Sequence, residues 1–207
     1  QGIVPQADDG MVVAKGTIGD VPTVVVAIEG SFQGGSMGEV SGAKMAAALD
    51  LAAADCADGK YIQAVLCLET GGVRLQEANL GLAAIADIHA AIMNLRRYAP
   101  VIGVVAGTVG CFGGMSIAAA LCSYLVVTRE ARLGLNGPQV IEQEAGIREY
   151  DSKNKPFIWQ MTGGAVRAEC GFADKIVPDD SLAVRNAVVE CAKEGAPQTF
   201  RTEKCDF

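Results

Sequence analysis

Two Gly-Gly pairs are the residues of this chain whose type and position best suit chemistry. Gly71-Gly72 follows the apolar run 64–68, and Gly113-Gly114 follows the apolar run 101–105. Each pair lies where a buried strand is predicted to be followed by a helix. Glycine permits a sharp turn and close approach of a ligand, and a helix N-terminus adds unpaired N–H groups and the positive end of the helix dipole. Two such corners that face each other would bind a negatively charged oxygen.

The elements that would position these corners follow from the hydrophobic patterning of the chain. Residues 11–18 and 23–29 are β-rich and are joined through Gly19-Asp20, which favours an antiparallel pair. The remaining predicted strands are 64–69, 101–106, 124–128 and a short one near 133–135, and the predicted helices are 38–58, 77–98, 114–122, one that begins after Pro138, and 182–193. Strands that are apolar throughout and separated by helices indicate an α/β fold, with a mainly parallel sheet covered by helices.

The composition restricts the class of protein. With 207 residues, 50% of them hydrophobic, the chain is predicted to form a single domain over residues 1–207. Because it begins on Gln1 rather than methionine, we expect that an N-terminal piece is missing. The formal net charge is −7, and acidic and basic residues are mixed along the chain, so no basic stripe is available to bind nucleic acid.

Neither a metal site nor a membrane segment is indicated by the sequence. The seven cysteines form no Cys-x-x-Cys pair and their number is odd, which argues against a zinc site and a disulfide framework. A reducing, cytoplasmic location is therefore expected. The longest apolar stretch, residues 115–127, is shorter than the about 20 residues that cross a bilayer.

Three glycine-rich strings resemble the signature corners of a known family. They are residues 34–39 (GGSMGE), 69–77 (ETGGVRLQE) and 110–115 (GCFGGM). Their order and spacing resemble the carboxyltransferase branch of the crotonase superfamily. The sequence around them is similar to the family of beta subunits of biotin-independent malonate decarboxylases, and the likeness extends over nearly all of residues 10–180.

This resemblance implies a crotonase-like superhelix of repeated β-β-α units that acts on a malonyl thioester. The malonyl group would be carried on the phosphopantetheine arm of an acyl carrier protein, with no cofactor bound by the chain itself; free malonyl-coenzyme A stays open as a substrate. Carbon dioxide would be released and acetyl left on the carrier. A homologous gamma subunit would supply the second half of the site, so a heterodimer is expected. Acyl-CoA carboxylases of this branch usually have Asp-Ser where this chain has Glu69-Thr70, which argues weakly against a biotin carboxylase component.

The two corners suit the loss of carbon dioxide from such a thioester. The bonding electrons stay on the α-carbon and spread onto the thioester oxygen as an enolate, which backbone N–H groups can stabilise as an oxyanion hole. Loss of one such donor typically costs about 10²–10³ in rate. The predicted donors are the amides of Gly72 and Val73 at the first corner and of Gly113 and Gly114 at the second.

Further residues are predicted to bind the substrate beside the first corner. They are Gly71, Arg74, Gly34, Gly35 and Ser36. Arg74 could orient the substrate carboxylate, although pairing with a neighbouring glutamate is an equal alternative. Cys111 is interpreted either as an activated thiol at a helix start or as a small buried hydrophobic residue.

Other classes of function stay open at this point. Residues 34–38 satisfy the Gly-x-Ser-x-Gly pattern of a nucleophile elbow, so a serine hydrolase that uses Ser36 is the main alternative. Its base would have to be His89, which lies two residues from Asp87 in a predicted helix, where the two side chains point to different faces. A helix-interface role for His89 is therefore favoured. An acyl-CoA carboxyltransferase subunit and a non-catalytic subunit are the remaining alternatives.

Overall fold

A six-stranded sheet forms the centre of the molecule, in a computed structural model that describes residues 8–203. The order of its strands is β1-β2-β4-β6-β7-β8. The strands are β1 Met11–Ile18, β2 Val21–Ile28, β4 Gln63–Cys67, β6 Val101–Val105, β7 Tyr124–Thr128 and β8 Lys175–Val177, and a separate two-stranded sheet contains β3 Ser36–Met37 and β5 Gly72–Val73.

The large sheet has the mainly parallel character predicted from the sequence. Only β1 and β2 are antiparallel, with Ile18 opposite Val21 across a turn in which Gly19 and Asp20 have φ values of 59° and 66°. The other four pairings are parallel. The antiparallel pair and its Gly19-Asp20 connection are thus confirmed.

Along the chain, each segment of the small sheet follows a strand of the large sheet and precedes a helix. β3 pairs in parallel with β5, and single bridges join Thr70 to Cys111 and Cys111 to Leu133. The chain therefore passes repeatedly from a large-sheet strand to a small-sheet segment and then to a helix. This is the repeated β-β-α superhelix of the crotonase fold, as predicted.

Seven α-helices occur among the described residues. They are α1 Glu39–Ala57, α2 Asn79–Leu95, α3 Gly114–Leu121, α4 Pro138–Ala145, α5 Lys155–Thr162, α6 Gly164–Glu169 and α7 Ser181–Glu194. The helix predicted over 77–98 begins later, because residues 75–77 form a 3-10 turn and Ala78 has a φ of 45°. The strand predicted near 133–135 is reduced to the single bridge at Leu133.

Helices cover both faces of the large sheet. On one face, α1, α2 and α3 pack in a core that contains Leu49, Ile88 and Met115, all fully buried. On the other face, Val188 and Cys191 of α7 pack in a cluster with strand residues such as Val126. No helix within residues 8–203 is long and apolar enough to cross a membrane.

Candidate active site

The two glycine corners are in direct contact. A methyl group added at Gly72 would lie 3.3 Å from the Phe112 carbonyl oxygen and 3.4 Å from Cα of Gly113. A methyl group added at Gly113 would lie 3.9 Å from the Val73 nitrogen. Gly72 and Gly113 also have φ values of 105° and 63°, which residues with side chains rarely adopt, so glycine at both positions permits this contact between the corners.

The second corner is the start of α3. Gly113 is the N-cap residue with a φ of 63°, and its N–H donates to the Leu135 carbonyl at 2.8 Å. Gly114 is the first residue of the helix, and among residues 8–203 its N–H has no hydrogen-bond acceptor. The first N–H groups of a helix lack partners within it and lie at the positive end of its dipole. A half-buried donor is therefore available at Gly114.

Ser116 and His89 hold this helix start in place. Both the N–H and the hydroxyl of Ser116 donate to the Gly113 carbonyl, at 3.0 and 2.7 Å. His89 of α2 places its Nε2 2.8 Å from the Gly114 carbonyl oxygen. His89 thus has the helix-interface role that the sequence favoured.

The first corner is not at a helix start, which corrects the sequence prediction. Gly72 and Val73 pair with Ser36 and Met37 in the small sheet, and α2 begins only at Asn79. The Gly72 N–H donates to the Thr70 hydroxyl oxygen at 3.1 Å. The first corner therefore has no helix start of its own.

Two of the four predicted amide donors are already engaged. The N–H groups of Gly72 and Gly113 donate to Thr70 and Leu135, so neither is free in this structure, and a donor role for either amide requires it to exchange its present acceptor for the substrate oxygen. Gly72 and Gly113 allow the two backbone segments of the corners to lie close together. The amides of Val73 and Gly114 stay the predicted donors.

Arg74 is committed to contacts within the protein. Its Nη1 lies 2.9 Å from Glu77 Oε1, and its Nε donates to the Ser36 hydroxyl at 3.2 Å. Its Nη2 donates to the carbonyls of Ser36 and Asp9, at 2.8 and 3.3 Å. Every nitrogen of this buried guanidinium has an acceptor, so the glutamate pairing is the alternative that the structure contains, and the contact with a substrate carboxylate stays a prediction.

The other predicted substrate-binding residues brace the first corner. The Gly71 N–H donates to the Gly34 carbonyl at 2.9 Å. Gly35 has a φ of 67°, and a methyl group there would lie 2.0 Å from the Glu69 carbonyl oxygen. Gly35 and Gly71 therefore leave room for residues 34–36 to pack against the strand end, whereas Gly34 has open space around it and a φ of 66°.

Ser36 lacks the surroundings of a catalytic nucleophile. It lies in β3 rather than on an elbow, and its hydroxyl accepts from Arg74, a cation that cannot act as a base. Within residues 8–203, Ser36 forms no hydrogen bond with a histidine or a carboxylate. The serine hydrolase alternative therefore has no structural support.

Cys111 behaves as a small hydrophobic residue beside the second corner. It is fully buried, and burial raises the pKa of its thiol far above the usual range. A thiol with a raised pKa is a poor nucleophile, so the activated-thiol interpretation is wrong.

Thr70 and Leu135 contribute to the corners although sequence reasoning did not select them. The Thr70 contact has a local signal, because a threonine hydroxyl often accepts from the N–H two residues later in a turn. The Leu135 carbonyl has no such signal, since it reaches Gly113 only through the tertiary fold.

The surface next to the corners is apolar and exposed. Leu75, shortly after Val73, is 81% exposed, and Leu135, whose carbonyl accepts from Gly113, is 61% exposed. Two cavities of about 420 and 410 Å³ are both lined by Gly107, and none of the four predicted donors lines them. Within residues 8–203, no group of three or more His, Cys, Asp or Glu residues is placed to hold a metal ion.

Comparison with known proteins identifies the family of the chain. Residues 2–200 match the family described as Carboxyl transferase domain. The chain belongs to the carboxyl transferase family. Within this family, the Malonyl-S-ACP:biotin-protein carboxyltransferase MADC of Malonomonas rubra is 40% identical over 206 residues. That match covers 94% of the present chain and 65% of the relative, so the chain spans about two thirds of the length of this carboxyl transferase.

Two solved structures of malonate decarboxylase contain chains that are similar to this one. A chain of a Pseudomonas malonate decarboxylase hetero-tetramer in complex with malonate is 64% identical with a TM-score of 0.96, over 99% of this chain and 74% of that one. A chain of the Pseudomonas MdcD-MdcE hetero-dimer is 59% identical with a TM-score of 0.87, over 96% of this chain and 83% of that one. The resemblance to carboxyltransferases and malonate decarboxylase subunits is thus confirmed.

Proposed function

We propose that the chain is the component of a malonate decarboxylase that releases carbon dioxide from a malonyl thioester. The observation that carries this proposal is the contact between the two corners at the start of α3. There, the Gly114 N–H has no hydrogen-bond acceptor among residues 8–203. The 64% identity to a chain of the Pseudomonas malonate decarboxylase supports malonyl as the acyl group of the proposed substrate.

In the proposed mechanism, the thioester oxygen lies against the N–H groups of Gly114 and Val73. Cleavage of the bond between the carboxylate and the α-carbon leaves an electron pair that moves onto this oxygen, where the two donors and the dipole of α3 stabilise it. A proton added to the α-carbon then gives the acetyl thioester. The donors act more strongly on the enolate than on the neutral thioester, which lowers the barrier.

The proposed partners are a second, homologous subunit, called gamma by resemblance, and an acyl carrier protein. The exposed leucines Leu75 and Leu135 next to the corners are suited to burial by that subunit. The relative MADC is named for a malonyl-ACP substrate, which supports delivery of malonyl on the phosphopantetheine group of a carrier. The chain itself is proposed to need no cofactor of its own.

Transfer of the carboxyl group to a biotin protein is the second candidate function. It is favoured by the name of MADC, a biotin-protein carboxyltransferase that is 40% identical to this chain. The same oxyanion hole would serve both reactions, because in each the departure of the carboxyl group from the α-carbon leaves the same enolate.

The experiment that tests the proposal measures carbon dioxide release from malonyl-ACP by the chain, by its partner subunit and by their complex. We expect release by the complex, unaffected by avidin, which sequesters biotin. Absence of release by the complex would contradict the proposal, and release that avidin abolishes would favour carboxyl transfer. A fluorophosphonate probe should leave Ser36 unlabelled; labelling lost in Ser36→Ala would instead support a serine hydrolase.

A further inference from the structure

Thr70 is the residue through which the two glycine corners are hydrogen-bonded to each other. It is fully buried, three residues after the end of β4. Its N–H donates to the Gly110 carbonyl at 2.7 Å, and its carbonyl accepts from the Phe112 N–H at 3.0 Å. Its hydroxyl oxygen accepts from the Gly72 N–H at 3.1 Å. The backbone of Thr70 therefore binds the second corner while its side chain binds the first.

The hydroxyl contact restricts the orientation of the first corner. Gly72 has a φ of 105°, a region in which glycine moves freely and other residues rarely occur. A peptide unit is planar, so fixing the direction of the Gly72 N–H also fixes the plane of the peptide between Gly71 and Gly72. The next peptide, which carries the Val73 N–H, is linked to this plane through the torsions of Gly72 and is also held by the pairing of Val73 with Met37.

We propose that the Thr70 hydroxyl is a positioning group that aims the Val73 N–H at the oxygen bound by the Gly114 N–H. This inference rests on the proposed function and assigns no contact between Thr70 and the substrate. Without the hydroxyl, Gly72 has lost the side-chain acceptor that holds its amide, and the peptide of Val73 rotates more freely. Errors of about 1 Å in the placement of a catalytic group can cost about 100-fold in rate.

The chain offers a matched control for the removal of a buried threonine hydroxyl. Thr128 at the end of β7 is also fully buried, and its hydroxyl has no hydrogen-bond partner among the described residues. Threonine and valine have nearly the same shape, so Thr70→Val and Thr128→Val remove the same atom from comparable surroundings. Thr70→Ser keeps the hydroxyl and removes only a methyl group.

The test compares these three variants in complex with the partner subunit, with malonyl-ACP as substrate. We expect Thr70→Val to lower kcat about 10- to 100-fold with little change in KM, because the donors act mainly in the transition state. Thr70→Ser should stay within about threefold of the wild type, and Thr128→Val should match it. Wild-type kcat in Thr70→Val, or an equal loss in Thr70→Ser, would overturn the proposal.

A second measurement separates the role of the hydroxyl from the proposed function. Hydrogen exchange of the Gly72 amide, followed in protein labelled with nitrogen-15 glycine, should be about tenfold faster in Thr70→Val and unchanged in Thr70→Ser. Unchanged exchange in Thr70→Val would refute the positioning role even if kcat falls. An inactive wild-type complex would contradict the proposed function, and the exchange rates would still decide whether the hydroxyl holds the first corner.

Discussion

At the scale of single residues, the structure separates groups that face the site from groups that build it. The Gly114 N–H has no acceptor within residues 8–203, whereas Arg74 directs all its nitrogens to acceptors within the protein. Four of the five N–H groups of this buried guanidinium donate to acceptors within the protein, so it stabilises the fold and leaves at most one N–H for a substrate. A charged residue beside a catalytic corner is therefore not by itself a binding residue.

Replacement of Arg74 by lysine tests this distinction. Arg74→Lys retains the charge but loses several of these hydrogen bonds, so we expect the free energy of unfolding to fall by about 1–3 kcal/mol. KM for the malonyl thioester should be unchanged, since the nitrogens of Arg74 are engaged by acceptors within the protein. Chemical denaturation and steady-state kinetics check this, with the exposed Arg185→Lys as control. A large rise in KM at unchanged stability would restore the substrate-binding role.

At the scale of elements, α3 is fixed at both ends. His89 and Ser116 hold its first turn next to the site. At its other end, Arg96 donates to the Leu121 carbonyl at 2.8 Å, and Arg201 donates to the carbonyls of Ala120 and Cys122. Cations at a helix C-terminus interact favourably with its last carbonyls and its dipole. These contacts keep a short helix in place although it has only eight residues.

Removal of the Arg96 guanidinium should loosen the C-terminal end of α3. Arg96 is nearly buried and lies over the Phe200 ring at 4.1 Å, so Arg96→Gln loses a hydrogen bond, a cation–π contact and a charge. We expect a loss of about 1–3 kcal/mol in the free energy of unfolding. The same substitution at the exposed neighbour Arg97 should have little effect, and denaturant unfolding measures both. Equal effects at the two positions would show that the capping contacts contribute nothing.

The edge strand β1 is tied to α1 by a carboxylate whose effect on stability should depend on pH. Asp55 of α1 pairs with Lys15 of β1 at 3.2 Å and with Lys60 at 3.3 Å. The hydrogen bond from Lys15, and then that from Lys60, lower the pKa of the Asp55 carboxyl below its usual 3.8. A lowered pKa gives stability that is present above pH 3.8 and is lost as the pH falls through the folded-state value.

Asp55→Asn should therefore be less stable than the wild type at neutral pH. The difference should shrink as the pH falls below 3.8, because the wild-type carboxyl also becomes neutral. Thermal unfolding from pH 7 to pH 3 measures this convergence. A difference that stays constant over this range would show that the carboxylate charge is not responsible.

At the scale of the whole molecule, the site lies beside exposed apolar residues. Leu75 is almost fully exposed, close in sequence to the Val73 donor. Burial of a leucine side chain contributes about 1.5–3 kcal/mol, so such residues favour association with a partner. We therefore place the proposed second subunit over this surface.

Substitution of Leu75 by glutamate should weaken that association without disturbing the fold. We expect Kd for the second subunit to rise about 10-fold or more, because a charge replaces a buried leucine in the complex. Leu51→Glu on α1, where the leucine is 70% exposed, is the control and should bind as the wild type does. Isothermal titration calorimetry measures both variants. Equal binding by Leu75→Glu would place the partner elsewhere.

Much of the architecture was predictable because it depends on local patterns. The helix over α1 and the turn at Gly19-Asp20 were located within a residue or two from hydrophobic periodicity and glycine positions. The start of α2 was misplaced because the pairing of β5 with β3 and the 3-10 turn after it have no periodic signal. Whether such a two-residue strand forms depends on a partner strand that is far away in the sequence.

The amino-acid sequence alone determined the α/β class, the order of the elements and the two glycine corners, since these depend on residues close together in the chain. Only the tertiary structure decided which amides at the corners are free. The acceptor of the Gly113 N–H is Leu135, and the acceptors of Arg74 include Asp9 and Ser36. Such contacts form between residues far apart in sequence, and the packing of the two sheets brings them together.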